Sequence, residues 1–306
     1  ETSLFGLVVL KQVGLTLKYG NSPESALAFI GYSMLLSGFG DVKGAFEFGR
    51  LGIRINDKFN DLQWRGAVHV LYTLFSHVWT EPWDTLHDWF TTSIEASLRT
   101  GNLLYLAHSC FYVNLWNPEM DLATHVQESS RMIAMIENTK YKESLATAQL
   151  VRQYYRNLLG EIEDRSSLSD ESFNEENMLH DLELAKYNSG IAIYYIYKMK
   201  LLFTYESYKE ALVYIDKAYP IIGALSGSAF MEEFALYTFL NLAYSYPQLS
   251  ASERRKAKAR MRKELGRVRK WAKHAPDTFR QHEVLMKAEW ARIFGREDEA
   301  GYYYDL

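Results

Sequence analysis

The stretch ESYKEALVYIDKA, residues 206–218, opens with a polar turn and continues with small and apolar residues at helical spacing. Its first six residues have two counterparts, GDVKGA at 40–45 and GREDEA at 295–300. Each of the three follows one apolar helical pattern and begins another. Their final alanines are separated by close to whole multiples of about 42 residues, a period typical of helix-pair repeat proteins.

The rest of the chain alternates in the same way, and no segment shows the sustained period of two that indicates a strand. We expect helices at approximately 24–37, 42–57, 62–79, 83–99, 103–116, 122–137, 141–159, 175–187, 190–203, 208–222, 229–244, 252–274 and 277–294, with a short one from 298. One more precedes them within residues 4–19. Short connections make consecutive helices antiparallel neighbours. The predicted fold is therefore all-α, a right-handed α-solenoid of about seven antiparallel helix pairs whose first helices line a concave face. We expect a single domain over residues 1–306.

The amino-acid composition excludes several classes of protein. Hydrophobic residues make up 48% of the chain, which is enough for a large core, and 6 Pro with 18 Gly are too few for a turn-dense β fold. The single cysteine excludes a disulfide framework and is typical of a reducing compartment. No apolar run approaches the roughly 18 uncharged residues needed to span a bilayer. We expect a cytoplasmic protein, and its start at Glu1 without a signal sequence suggests part of a longer polypeptide.

Both ends of the chain resemble a known family. The segments LKYGNSPESALAFIGYSMLL (17–36) and KWAKHAPDTFRQHEVLMKAEWARIFG (270–295), with the closing EDEAGYYYDL, are similar to the tetratricopeptide-like region of large bacterial signalling proteins. In that family a Ser/Thr kinase-like domain and an AAA/STAND-type ATPase precede the repeats, and a GAF sensor with a histidine kinase usually follows. The repeats here are degenerate, with Gly49 and Gly52 in place of larger packing residues, and with Ser33 and Met199 at small-residue positions. The resemblance implies a TPR-like regulatory and interaction segment of a two-component signal-transduction protein.

Aromatic residues concentrate in the first half. Five of the seven Trp lie there, and rings with polar edges can line a recognition groove for a peptide or small ligand. The alternative is that these large rings fill the wedge between two helix pairs. The candidate groove residues are Trp64, Trp79, Trp83, Trp89 and Trp116.

The sequence gives little support for a metal site or a catalytic nucleophile. His69 and His77 lie near one face of a helix, and Glu176 and His180 are four apart, but zinc sites need three or four converging ligands. Cys110 lies in an apolar stretch and is better interpreted as a buried, inert thiol. The sequence also lacks a phosphate-binding Gly-rich loop, a nucleophile elbow and kinase catalytic motifs. We expect no catalytic residue, no cofactor and no metal in this segment, and any ATPase or kinase activity would belong to other parts of the parent protein.

Charge is distributed unevenly. The chain carries a formal net charge of −4, yet residues 254–273 contain eleven Lys or Arg and one acid, Glu264. An apolar stripe in this helix predicts one packed face. The other faces form a positive surface for an acidic protein partner, and its candidate docking residues are Arg254, Arg255, Lys258, Arg262 and Arg269. Nucleic acid fits less well because the sequence pI is about 6.1.

The most acidic stretch, residues 161–176, is Ser-rich and includes most of the predicted polar, mobile loop at 160–174. It is a solvated linker or a phosphorylation site, and in a second copy of the chain it offers a partner for the basic helix. The leading hypothesis is a non-enzymatic interaction module that binds a peptide or neighbouring domain on its concave face. The alternative is a small-ligand sensor with an aromatic pocket in the first half. A homo-oligomer is compatible with either hypothesis.

Overall fold

The computed structural model describes residues 2–306, which form 15 α-helices and four short 3-10 helices, with no strand in that range. Its one β-like feature is an isolated bridge between Asp170 and Phe173. The all-α class predicted from the sequence is confirmed. The contacts divide into two compact units, residues 1–148 with 226–229 and residues 149–225 with 230–306, where the sequence suggested one domain over 1–306. Residue 1 itself lies outside the described range.

The first unit contains seven helices and the start of an eighth. They are α1 (Thr2–Tyr19), α2 (Ser25–Phe39), α3 (Val42–Phe59), α4 (Leu62–Phe75), α5 (Leu86–Thr100), α6 (Leu103–Tyr112), α7 (Leu122–Glu137) and α8 (Lys142–Leu158), which the division between the units crosses. Side-chain caps define several helix starts: Asp41, Asn102 and Asp121 each accept a backbone N–H of the first turn. Helices α2 and α4 pack side by side, as do α4 and α6, with the intervening helices beside them.

The second unit repeats this alternation. It contains α9 (Glu175–Leu184), α10 (Asn188–Thr204), α11 (Tyr208–Ala218), α12 (Phe230–Ser245), α13 (Ala251–His274), α14 (Pro276–Ile293) and α15 (Glu297–Tyr304). Helix α10 packs on α12 and α12 on α14, while α11, α13 and α15 pack as second helices of the pairs.

The expected period appears in the hydrogen bonds. In the first unit, the Ser33 and Ser76 hydroxyls, 43 residues apart, bond to each other. In the second unit, the Asn241 amide donates to the Met199 carbonyl at 3.3 Å, 42 residues away. The three repeat alanines, Ala45, Ala211 and Ala300, are buried as a close approach between helices requires.

Four predicted helices end three or four residues earlier in the structure, and two of them, expected at 103–116 and 175–187, end at Tyr112 and Leu184. The one expected at 62–79 ends at Phe75, and a 3-10 turn at His77–Trp79 continues it. The one expected at 208–222 ends at Ala218, shortly before Pro220, which has no N–H for the helical ladder.

Segment 160–174 is polar, as expected, but it is anchored. Leu168 is fully buried, and the Asn157 side-chain amide donates to the carbonyls of Asp164 and Ser167 at 2.9 and 2.6 Å. Arg156 pairs with both Glu161 and Asp170. Burial raises the pKa of the Asp170 carboxyl, but hydrogen bonds from Gln153, Ser172 and Arg156 hold it well below its usual range. These contacts oppose the motion that the composition of the segment suggested.

Among residues 2–306, no helix combines the length and the apolar character that crossing a bilayer requires.

Candidate functional site

Helix α13 has the packed face that its sequence predicted. Ser250 and Glu253 form a capping box at its start, with the Ser250 backbone N–H bonded to the Glu253 carboxylate at 2.8 Å. The predicted apolar stripe is buried and consists of Ala257, Met261, Leu265, Val268 and Ala272.

The one acid within the basic stretch faces inwards. Glu264 is fully buried, where it accepts hydrogen bonds from the Tyr219 hydroxyl at 2.7 Å and from Arg267 at 3.0 Å. The nearby carboxylate raises the pKa of Tyr219, although burial is the larger cause. Glu264 is therefore compensated inside the fold and does not offset the positive charge on the outer faces of α13.

The five predicted docking cations fall into two groups. Arg254 is held by the carbonyls of Tyr246 and Pro247 at 3.1 and 2.6 Å, and Lys258 lies 4.5 Å from the centre of the Phe294 ring. These two side chains help to pack the helix against its neighbours. The remaining three are exposed: Arg255, Arg262 and Arg269, the last of which also pairs with Glu283.

Two of these three line a groove of about 470 Å³ between α13 and α15, with α14 beneath it. We call it the basic groove. Its lining contains four cations, one acid, two aromatic rings, a leucine and a glycine, namely Arg262, Leu265, Gly266, Arg269, Lys287, Trp290, Arg296, Glu299 and Tyr303. The concave shape combined with clustered charge makes it a candidate binding site.

The acids near the basic groove compensate part of its charge. Glu283 pairs with Lys287 at 2.6 Å and with Arg269 at 3.4 Å, and Glu299 pairs with Arg296 at 2.6 Å. Within the described residues Arg262 has no acidic partner. Four cations against two carboxylates leave the site with a positive surplus of two charges, which an anionic ligand would neutralise.

A second groove, of about 510 Å³, lies on the other side of α13, between α11 and α13. Its floor is apolar, with Leu212, Leu242 and Leu249, and its charges are mixed. Arg260 pairs there with Asp216. Because its cations are largely balanced within the fold, this groove has less reason to attract an anion.

The tryptophans of the first half lie largely in packed surroundings. Trp79 is 2% exposed and donates its indole N–H to the Gly227 carbonyl at 2.6 Å. Trp116 is also buried, and its ring centre lies 5.8 Å from that of Trp83. Trp64 and Trp89 are partly buried against a core cluster that includes Ile30, Val68 and Tyr72.

The two histidines of this region flank Trp89. The ring centre of His69 lies 5.1 Å from that of Trp89, and the ring centre of His77 lies 5.3 Å away. Burial lowers the pKa of each to about 4, so both imidazoles are neutral at physiological pH. In the described part of the chain, no three His, Cys, Asp or Glu side chains are grouped so that they could hold a metal ion.

Cys110 is buried, and burial raises the pKa of its thiol to about 12. A thiol of that pKa forms almost no thiolate at neutral pH, and the thiolate is the nucleophilic form.

Sequence analysis predicted Arg262 and Arg269 as docking residues but not the other charged and aromatic residues of the basic groove: Lys287, Trp290, Arg296, Glu299 and Tyr303. All of these except Arg296 lie in the closing segments that carried the family resemblance, and Arg296 lies between those segments. A helical projection of α14 and α15 places Lys287 and Trp290 on one face, but it does not show that this face meets α13. Comparisons with protein-family models, with curated proteins and with solved structures found no match to this chain.

Proposed function

We propose that this chain is a non-enzymatic protein-interaction and regulatory module, and that α13 docks an acidic segment of a partner protein or neighbouring domain. The observation that carries this proposal is the exposed positive surface of α13, bordered by the basic groove. A cluster of exposed cations attracts a negatively charged surface from a distance and selects against positively charged partners.

The helix pairs are proposed to stack as an α-solenoid within each unit. Support comes from hydrogen bonds between residues one repeat apart, such as Ser33 with Ser76 and Met199 with Asn241. Tyr219 with Glu264, and Tyr244 with Glu289, add two pairs that are 45 residues apart. A contact that recurs at one spacing is typical of stacked repeats.

The second helices supply the proposed docking surface. Twelve of the 17 residues of α10 and fourteen of the 16 residues of α12 are buried, so these first helices leave little side-chain surface for a ligand. The two grooves beside α13 instead lie between second helices. We therefore place the binding surface there and not on the concave face that the sequence suggested.

A role within a cytoplasmic signalling ATPase and kinase rests on the family resemblance alone. An aromatic ligand pocket in the first half would need accessible rings, and the burial of Trp79 and Trp116 makes it the weaker proposal. The acidic loop of a second copy is also a poor partner for α13, because Glu161 and Asp170 are engaged by Arg156 and Glu175 is buried.

The test uses the whole chain and a dye-labelled peptide rich in Asp and Glu, with fluorescence anisotropy as the readout. The test variant replaces Arg255, Arg262 and Arg269, the three exposed docking cations, by Glu. We expect the wild-type protein to bind the peptide and the variant to lose binding. Binding should weaken steeply from about 0.05 M to about 0.5 M NaCl, because exposed charges are screened over shorter distances as salt increases.

The matched control reverses three exposed cations of the first unit, Lys11, Arg54 and Lys58, and so changes net charge equally. It should bind the acidic peptide almost as well as the wild type. Equal loss in both variants would show that only net charge matters and would overturn the proposal. An oligonucleotide of similar length that binds more tightly than the peptide would instead favour a nucleic-acid partner.

A further inference from the structure

We infer that the basic groove receives a large aromatic side chain flanked by carboxylates, so that the partner of α13 is an acidic peptide segment with an aromatic anchor. This inference rests on the proposed docking function and adds the chemistry of the ligand. It follows from the arrangement of charge, aromatic surface and free space in the groove.

The charges lie on all three helices that form the groove. Arg262 and Arg269 come from α13, Lys287 comes from α14, and Arg296 is the N-cap residue that precedes α15. With Glu283 and Glu299 compensating part of this charge, the surplus of two matches two carboxylates. Arg forks suit carboxylates because they can donate two parallel hydrogen bonds.

The aromatic surface lies among these cations. The ring centre of Trp290 lies 5.0 Å from that of Phe294, with the two ring planes tilted by 57°, and Trp290 packs at the rim of a hydrophobic core cluster, which holds its ring in place. Tyr303 lies on the opposite helix, with the Lys287 ammonium 5.6 Å from its ring centre. An incoming aromatic ring would bury apolar area against these two residues and could also stack on an Arg plane.

The groove is open at Gly266. A Cβ atom added at Gly266 would meet no heavy atom within 4 Å, although the residue lies in the interior of α13. Glycine in a helix interior is less favourable than alanine. At this position the absence of a side chain leaves room beside Leu265 for a side chain of the partner.

Gly266 also provides the decisive variant. Gly266→Leu should fill the groove without changing charge, and it improves helix propensity, so the fold should be retained. Gly266→Ala is the matched control, because it brings the same gain in propensity but occupies little of the groove. Circular dichroism and thermal unfolding would check that both variants are folded.

Three labelled peptides separate the anchor from the charge: one with a central Trp between Asp and Glu residues, one with Ser in place of Trp, and one with Trp between Asn and Gln. For the wild-type protein we expect the first to bind at least about tenfold more tightly than either of the others. Its advantage over the Ser peptide comes from burying an aromatic side chain, which is worth one to two decades in affinity. Its advantage over the Asn and Gln peptide comes from the carboxylates. Gly266→Leu should remove the advantage of Trp over Ser, and Gly266→Ala should preserve it. Tyr303→Ala should reduce the advantage without removing the dependence on salt.

Failure of this inference differs from failure of the proposed function. If the Trp and Ser peptides bind equally and both are lost on charge reversal, α13 docks acidic segments but the groove does not select an aromatic anchor. If Gly266→Leu retains the full advantage of Trp, the anchor binds elsewhere and the inference is overturned. If no acidic peptide responds to charge reversal, both proposals are wrong.

Discussion

A pair of glycine substitutions in the first unit should have opposite effects on stability. Gly52 lies within α3 and Gly14 within α1, so replacement by Ala improves helix propensity by about 1 kcal/mol at each position. Their surroundings differ. A Cβ at Gly14 would meet no heavy atom within 4 Å, whereas a Cβ at Gly52 would lie 2.8 Å from Cγ1 of Ile30 and 3.0 Å from the carbonyl oxygen of Ala26.

The contacts at Gly52 cannot be relieved locally. Ile30 is 1% exposed, and the Ala26 oxygen belongs to the backbone of α2, so the two helices must move apart. Carbon atoms prefer separations of about 3.5–4.0 Å, and overpacking of this kind typically costs about 1–3 kcal/mol. After the gain in propensity, Gly52→Ala should destabilise the first unit by about 1 kcal/mol and Gly14→Ala should stabilise it by up to about 1 kcal/mol.

Urea unfolding followed by Trp fluorescence is a suitable assay, because five of the seven Trp lie in the first unit. We expect the midpoint to fall for Gly52→Ala and to rise for Gly14→Ala, with the slope of the transition unchanged. Stability of Gly52→Ala equal to or above that of Gly14→Ala would refute the close helix approach from which the difference was derived.

Three further predictions follow from buried groups. Burial lowers the folded-state pKa of His77 to about 4, below its ordinary value of 6.5, so its contribution to stability is present above pH 6.5 and is lost as pH falls towards 4. His77→Gln should reduce the slope of unfolding free energy against pH by about 1.4 kcal/mol per unit in that window. An unchanged slope would contradict the lowered pKa of His77. Cys110 should react with a thiol reagent at pH 8 only after unfolding, and rapid labelling of the native protein would show that it is accessible. Lys198→Met leaves Glu175, which lies 3.1 Å from the Lys198 ammonium, as a buried carboxylate without its cation. The substitution should reduce the free energy of unfolding by about 3–5 kcal/mol and increase hydrogen exchange in segment 160–174. The double variant with Glu175→Gln should recover part of the loss, and no recovery would show that the pair does not anchor the segment.

The fold class was predictable because helix formation is encoded locally. Apolar residues three or four apart define a buried stripe whatever the helix packs against, so the stripe of α13 and the burial of Ala211 could be predicted directly from the sequence. Caps at Asp41 and Asn102 act within a few residues, which is why most predicted helix starts lie close to those of the structure.

The basic groove could not be predicted in full, because its residues are distant in the sequence and come together only in the folded chain. Arg262 and Arg296 line one groove although 34 positions separate them, because the packing of α13, α14 and α15 brings them together, and the groove is open at Gly266. Tertiary packing also buries Glu264 and Glu175 with hydrogen-bonding partners, so charges that looked like surface charges belong to the interior.

Periodicity therefore determined which residues of each helix face inwards, while tertiary packing decided which charges remain exposed and where an apolar ring could lie among them. The physical reason is range: backbone hydrogen bonds and i,i+4 spacing act within a turn or two, whereas grooves and ion pairs form between side chains that only the packed helices bring together.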